Sequence, residues 1–179
     1  MGTDDIVALA RRWIGTPYVH QASVRGAGCD CLGLLRGVWR DMGREEPQAV
    51  PNYSPDWAEA RAAGTGTEAE TLYAALARHF TEVPPARLAP GDVALFRMHP
   101  RGPAKHCGIL AERDGSATLI HARQNKRVSE EPLSEFWRRK LVCGFRIQCF
   151  LPRESGGGGP AKAGGGGASV VKFELGLQH

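Results

Sequence analysis

The chain of 179 residues carries 23 basic and 19 acidic side chains, a formal net charge of +4, and 42% hydrophobic residues. That is one domain's worth of apolar material, able to build a core without disulfide support. The charge is too small to argue for a nucleic-acid partner, and no apolar run approaches the roughly 18–20 residues of a membrane span.

The opening MGTDDIVALARRW runs from acidic to basic, the reverse of a secretory signal, so no classical export signal is expected. Ile6, Leu9, Ala10, Trp13 and Ile14 recur at helical spacing after Asp4 and Asp5, and Gly15 suits the end of that first helix. Cys31, Leu34, Leu35, Val38, Trp39 and Met42 repeat the period. Asp30 is placed to cap this second helix and Gly43 to close it. Thr67 and Glu70 make a candidate capping box ahead of Leu72, Tyr73, Leu76 and Phe80, a third helix that stops before Pro84 and Pro85. From there the pattern changes to short runs rich in β-branched and aromatic residues: GDVALFR, HCGILAE, ATLIHA and VCGFRIQCFL, with a turn at RDGS. Helices followed by an antiparallel sheet make an α+β domain.

Composition breaks sharply near residue 153. The stretch SGGGGPAKAGGGGAS has no side chains able to offset the entropy of ordering and reads as a flexible linker over 154–169. Beyond it, residues 170–179 (VVKFELGLQH) alternate apolar and polar as a short strand does. They read either as an unstructured tail or as a tethered peptide that docks as an added strand. The domain is expected over residues 1–153.

The stretch GAGCDCLGLL holds two cysteines with different prospects. Cys31 opens a helix, where free N–H groups and aligned peptide dipoles favour a thiolate; Cys29 lies in the preceding loop without that advantage and reads as structural. A nucleophilic thiol needs a base, and His106 opens one predicted strand while His121 ends the next. A hairpin would set the two rings side by side, with His121 orienting His106. Each of these residues also has an ordinary core reading. Cys29, Cys31, His106, Cys107 and His121 offer zinc donors as an alternative, but the C-x-C spacing strains a tetrahedral site, so no metal or other cofactor is expected. The five cysteines, Cys29, Cys31, Cys107, Cys143 and Cys149, are odd in number, lack a disulfide-framework spacing and read as reduced thiols.

GTPYVHQASVRGAGCDCLGLLRGVWRDMG at 15–43, followed by LAPGDVALF, KHCGIL and LIHA, resembles the signature of the NlpC family of cell-wall cysteine peptidases. The resemblance spans nearly all of residues 3–150 and looks closest to members encoded with phage tails and phage-like gene transfer agents. It implies a papain-like fold, with Cys31 as nucleophile, His106 as base and His121 as the orienting residue. It further implies Tyr18 beside the oxyanion and Asp30 as a helix cap or substrate contact. The implied substrate is the peptide stem of peptidoglycan, cut between γ-D-glutamate and diaminopimelate, in a particle that carries the domain to the wall of a target cell. Tail or baseplate hub proteins are the implied partners, and the alternating peptide at 170–179 is where docking to them is expected. A non-enzymatic plug of the tail tip and a related cysteine amidase or acyltransferase are the competing readings. Three departures stand out: Leu32 in place of a serine, Cys107 in place of a valine, and a long spacing from His106 to His121. Arg25, Lys105 and Arg123 are candidates to meet the stem's carboxylates, though they read equally as solvated surface.

Overall fold

The computed structural model describes residues 2–46 and 70–147. Helix α1, Thr3–Arg11, turns Ile6, Val7 and Ala10 inward. It ends earlier than the sequence period suggests. The N–H of Trp13 reaches back only to the carbonyl of Ala10, at 3.0 Å, so the last turn tightens, and Gly15, with φ of 91°, redirects the chain. Trp13 is nevertheless buried, as its apolar spacing requires.

Two-residue strands β1, Ser23–Val24, and β2, Gly28–Cys29, pair antiparallel and deliver the chain to α2, Cys31–Asp41. Asp30 caps α2 as expected: Oδ1 accepts the N–H of Gly33 at 2.7 Å. The two helices pack closely because α2 carries Gly37 where they meet. A Cβ there would lie 1.9 Å from Cζ2 of Trp13, whose Nε1 donates to Oδ2 of Asp41 at 2.9 Å.

Helix α3, Thr71–His79, lies where the third apolar period placed it. Thr67 falls outside the described residues, and Glu70 does not serve as the third residue of a capping box. It stands at the N-cap position with its carboxylate drawn away, accepting from Arg97 Nη2 at 2.5 Å and from the N–H of Ala104 at 2.9 Å. A charge-assisted partner outcompetes a local cap.

The remainder forms strands β3, Thr81–Val83, β4, Val93–Phe96, β5, His106–Arg113, β6, Ser116–His121, β7, Ser129–Pro132, and β8, Leu141–Arg146. Helix α4, Glu135–Lys140, lies between the last two. Their sheet has the order β3-β8-β4-β5-β6-β7, antiparallel throughout, which gives the α+β class. Alternation along each strand divides the interior into two cores. Val93, Leu95, Cys107, Ile109 and Ile120 face α1 and α2. Ala94, Phe96, Leu110 and Leu119 face the other way, where Leu133 and Trp137 cover them. Strands β3 and β7, the hairpin β1–β2 and helix α4 were not legible in the sequence. No helix among the described residues is long and apolar enough to cross a membrane. Residues 148–179 lie outside the described part, and with them the domain end near 153, the 154–169 linker and the 170–179 peptide.

Candidate active site

Cys31 is the first helical residue of α2, half-buried, directly after the capping Asp30. Its sulfur lies 4.0 Å from the carbonyl oxygen of Lys105, just ahead of β5. The Cys107 thiol and the His106 ring both hydrogen-bond to it, and these donors, Cys107 first and then His106, hold the Cys31 thiol well below the ordinary range despite burial. The opposite happens to Cys107. Hydrogen-bonded to Cys31 and fully buried, its own thiol is pushed well up, which keeps it a donor. It also lies 3.5 Å from the Cys31 carbonyl oxygen.

His106 and Cys107 are neighbours on β5 and therefore point to opposite faces of the sheet. Cys107 sits under the start of α2, whereas His106 packs with Phe96 and Trp137 on the far side; its ring stacks on Trp137 with centroids 5.4 Å apart and an interplanar angle of 27°. The site thus lies at the end of β5, where the two faces meet.

His121 is the last residue of β6. The register that pairs Ile109 with Ile120 sets His121 opposite Gly108, on the same face as His106. Only glycine fits at 108, since a Cβ would stand 2.9 Å from the Cβ of His121 and 2.7 Å from Cδ1 of Leu119. Across that gap Nε2 of His106 and Nδ1 of His121 approach to 2.9 Å, so Nδ1 of His106 is the nitrogen left for the sulfur. His121 has no solvent exposure, and burial, reinforced by His106 and Arg123, pushes its pKa down to about 3; it is neutral at working pH.

The loop before α2 brings in the two other sequence candidates. Tyr18 bridges to Cys29 and hydrogen-bonds through its N–H to Lys126. Burial, then the charges of Asp30 and Cys31, raises the Tyr18 pKa to about 12 and keeps the phenol a donor. Asp30 is 2% exposed and both its oxygens are used: Oδ1 on Gly33, Oδ2 on the N–H of Gln21 at 2.7 Å, with His20 Nδ1 3.6 Å from Oδ2. It serves as a cap that also ties down the Tyr18 loop. Cys29 is buried, and its thiol is raised to about 12 by that burial and by Asp30. Of the basic candidates, Arg25 pairs with Asp41 at 3.3 Å, and Arg123 lies over the Trp137 ring, 5.6 Å from its centroid. Among the described residues no group of histidine, cysteine or carboxylate side chains is arranged to hold a metal.

Two residues around the histidines had not been singled out in the sequence, Glu131 on β7 and Trp137 on α4. Trp137 touches both rings, its centroid 4.8 Å from that of His121, and its Nε1 donates to Oε1 of Glu131 at 2.6 Å. A tryptophan three residues after Ser134, in SEFW, is the one local signal available for a covering helix here, and it is too short to establish one.

Residues 15–146 match the NlpC/P60 family. A curated relative, the gamma-DL-glutamyl hydrolase of Bacillus subtilis (strain 168), is 30% identical over 139 residues, 76% of this chain and 27% of the relative. The chain therefore spans about a quarter of that protein's length. Among solved structures, an NlpC/P60 family protein from Bacillus cereus ATCC 10987 superposes with a TM-score of 0.55 at 20% identity over 82% of this chain and 40% of that one. The NlpC/p60 domain of the peptidoglycan hydrolase SagA gives 0.52 at 24% identity over 82% and 100%. Both are likenesses of fold, and they share the papain-like arrangement of N-terminal helices on an antiparallel sheet. With the family match covering the helix that carries Cys31 and the strands that carry both histidines, the chain belongs to the NlpC/P60 family of cysteine hydrolases.

Proposed function

We propose that this domain is a peptidoglycan endopeptidase that hydrolyses a γ-glutamyl amide in the stem peptide, between γ-D-glutamate and diaminopimelate. The observation that carries the reading is the hydrogen-bonded line from the Cys31 sulfur through His106 to His121, ending 2.9 Å apart at the two imidazoles. The relative from Bacillus subtilis, named for hydrolysis at gamma-DL-glutamyl bonds, supports the choice of amide.

The chemistry follows from the groups present. The Cys31 thiolate attacks the carbonyl carbon, and the electron pair of the C=O moves to oxygen. The Cys31 N–H at the start of α2 and the Tyr18 hydroxyl are the donors assigned to that oxyanion. The His106 imidazolium protonates the departing amine as the C–N bond breaks and leaves a thioester. Water then attacks the thioester, giving its proton to Nδ1 of His106, and the acid product leaves with the thiolate restored. Asp30 acts through the cap and the loop rather than on substrate. Delivery by a phage or phage-like tail, drawn from the motif resemblance, completes the proposal, with residues 170–179 as the docking peptide on the strength of their apolar–polar alternation.

The test is digestion of diaminopimelate-type peptidoglycan by the wild-type protein and by Cys31→Ala, with mass analysis of the released fragments. Fragments cut after γ-D-glutamate, absent with the variant, are expected. Cleavage at the amide that joins the stem peptide to its sugar would assign an amidase instead, and a folded, reduced wild-type protein that cuts nothing would overturn the enzymatic reading.

A further inference from the structure

The structure assigns Glu131 a role in the catalytic line: its carboxylate holds the single N–H of His121 on Nε2 and so fixes the proton arrangement of His106 and Cys31. The inference deepens the hydrolase reading, on which its consequence for activity rests.

The geometry begins with strand register. β6 and β7 pair Leu119 with Glu131 and His121 with Ser129, so Glu131 projects from the same face as His121, one step along. Nε2 of His121 lies 3.2 Å from Oε1 of Glu131. That approach falls short of hydrogen-bond geometry, and among the described residues the buried Nε2 has no hydrogen-bond partner. An imidazole nitrogen sealed from water with only a carboxylate beside it has one acceptable state. A carboxylate is an acceptor only, so a bare lone pair at Nε2 would face another lone pair with no water reaching the nitrogen, whereas an N–H there meets a negative charge.

The rest follows by elimination. His121 is neutral and has one N–H to place. With that proton on Nε2, Nδ1 is an acceptor, and its 2.9 Å partner, Nε2 of His106, must donate. Nδ1 of His106 is then the position that exchanges a proton with Cys31, bare when the sulfur is a thiol and protonated when it is a thiolate. The opposite tautomer of His121 would make Nε2 of His106 an acceptor and prevent the imidazolium from forming. Glu131 is a positioning residue in this scheme, since it touches neither substrate nor sulfur.

Glu131 is itself held in place. Trp137 Nε1 donates to Oε1 at 2.6 Å, and Arg123 Nη1 stands 3.6 Å from the same oxygen. Trp137 also stacks on His106 and meets His121 edge-on, so one side chain sets both ring planes and the carboxylate that reads them.

The experiment is ring-nitrogen NMR of the histidine-labelled full chain, comparing wild type, Glu131→Leu and Glu131→Gln, with steady-state kinetics on the same samples. In the wild type His121 is expected to show a protonated, pyrrole-type Nε2 and a pyridine-type Nδ1. Glu131→Leu is expected to mix the tautomers and to lower kcat about tenfold to a hundredfold with KM unchanged. Glu131→Gln keeps an acceptor oxygen against Trp137 and His121 and is expected to recover most of that loss and the wild-type tautomer. A pyridine-type Nε2 in the wild type, or an unchanged His121 pattern in Glu131→Leu, would overturn the assignment. Because the NMR signature needs no substrate, a protein with the expected tautomer that fails to cut peptidoglycan would count against the proposed function and leave this inference standing.

Discussion

The two faces of the central sheet treat ionisable side chains in opposite ways. On the helix side Cys31 sits at a helix start with two donors to its sulfur, which hold its thiol well below the ordinary range. On the other side His121 has no exposure and cationic neighbours, and it is held in the neutral form. The same low-dielectric interior surrounds both groups. What differs is the balance: at Cys31 the donors outweigh burial, whereas at His121 burial and the charges of His106, Arg123 and Lys126 prevail, although the Glu131 carboxylate lies 3.2 Å away. His106, the first residue of β5, touches both environments, as the proton carrier of the proposed mechanism must.

The comparison is broken most completely by removing that link. His106→Ala is expected to lower kcat by about a thousandfold, the middle of the range for losing a positioned acid–base group, while the fold measured by circular dichroism is retained. Gly108→Ala attacks the approach of the two histidines through the backbone. The added Cβ must displace His121 or Leu119, so a loss of about 1–3 kcal/mol in thermal or denaturant unfolding is expected, together with a fall in kcat. An unaltered Gly108→Ala protein would show that the histidine contact does not depend on this close approach.

Glu130 sharpens the contrast, because it neighbours Glu131 in sequence but points to the helix side. There it accepts from Arg11 Nε at 3.0 Å, Arg113 Nη2 at 2.6 Å and Thr118 Oγ1 at 2.7 Å. The Arg11 hydrogen bond above all lowers its pKa to about 2. A carboxyl whose folded value is depressed contributes stability that is fully present above its ordinary value near 4.5 and is lost as pH falls through about 2. Glu130→Gln is expected to cost about 2 kcal/mol at neutral pH, measured by urea unfolding, and to flatten the decline in stability across that acid window. The histidine line should be unaffected.

The smallest expected effect is at Cys107. Cys107→Val removes the principal donor to the sulfur without adding a charge, so the pH midpoint for alkylation of Cys31 by iodoacetamide should move upward. An unmoved midpoint would assign the lowered thiol to His106 and the helix terminus alone.

Legibility in the sequence followed the range of the forces involved. Helices α1 and α2 announced themselves through apolar spacing, and Asp30 through its place before the second of them, because capping acts within three residues. β4, β5 and β6 were visible in runs of apolar and β-branched residues. β7 was not, since SEEP carries no such residues and becomes a strand only by pairing with β6. α4 is too short, at six residues, to show a period. The candidate nucleophile and both histidines were legible because helix start, strand start and strand end are local properties. Glu131 and Trp137 were not, because their positions depend on a register and on a helix packed across the sheet.

What the sequence by itself determined is therefore the set of elements and the residues poised at their ends. Periodicity, caps and a family signature are all written within a few residues of each other. The tertiary structure decided which thiol receives donors, which imidazole is kept neutral, and which carboxylate lies 3.2 Å from it. Those outcomes depend on desolvation and on partners distant in the chain, and both exist only once the two cores have closed around the sheet.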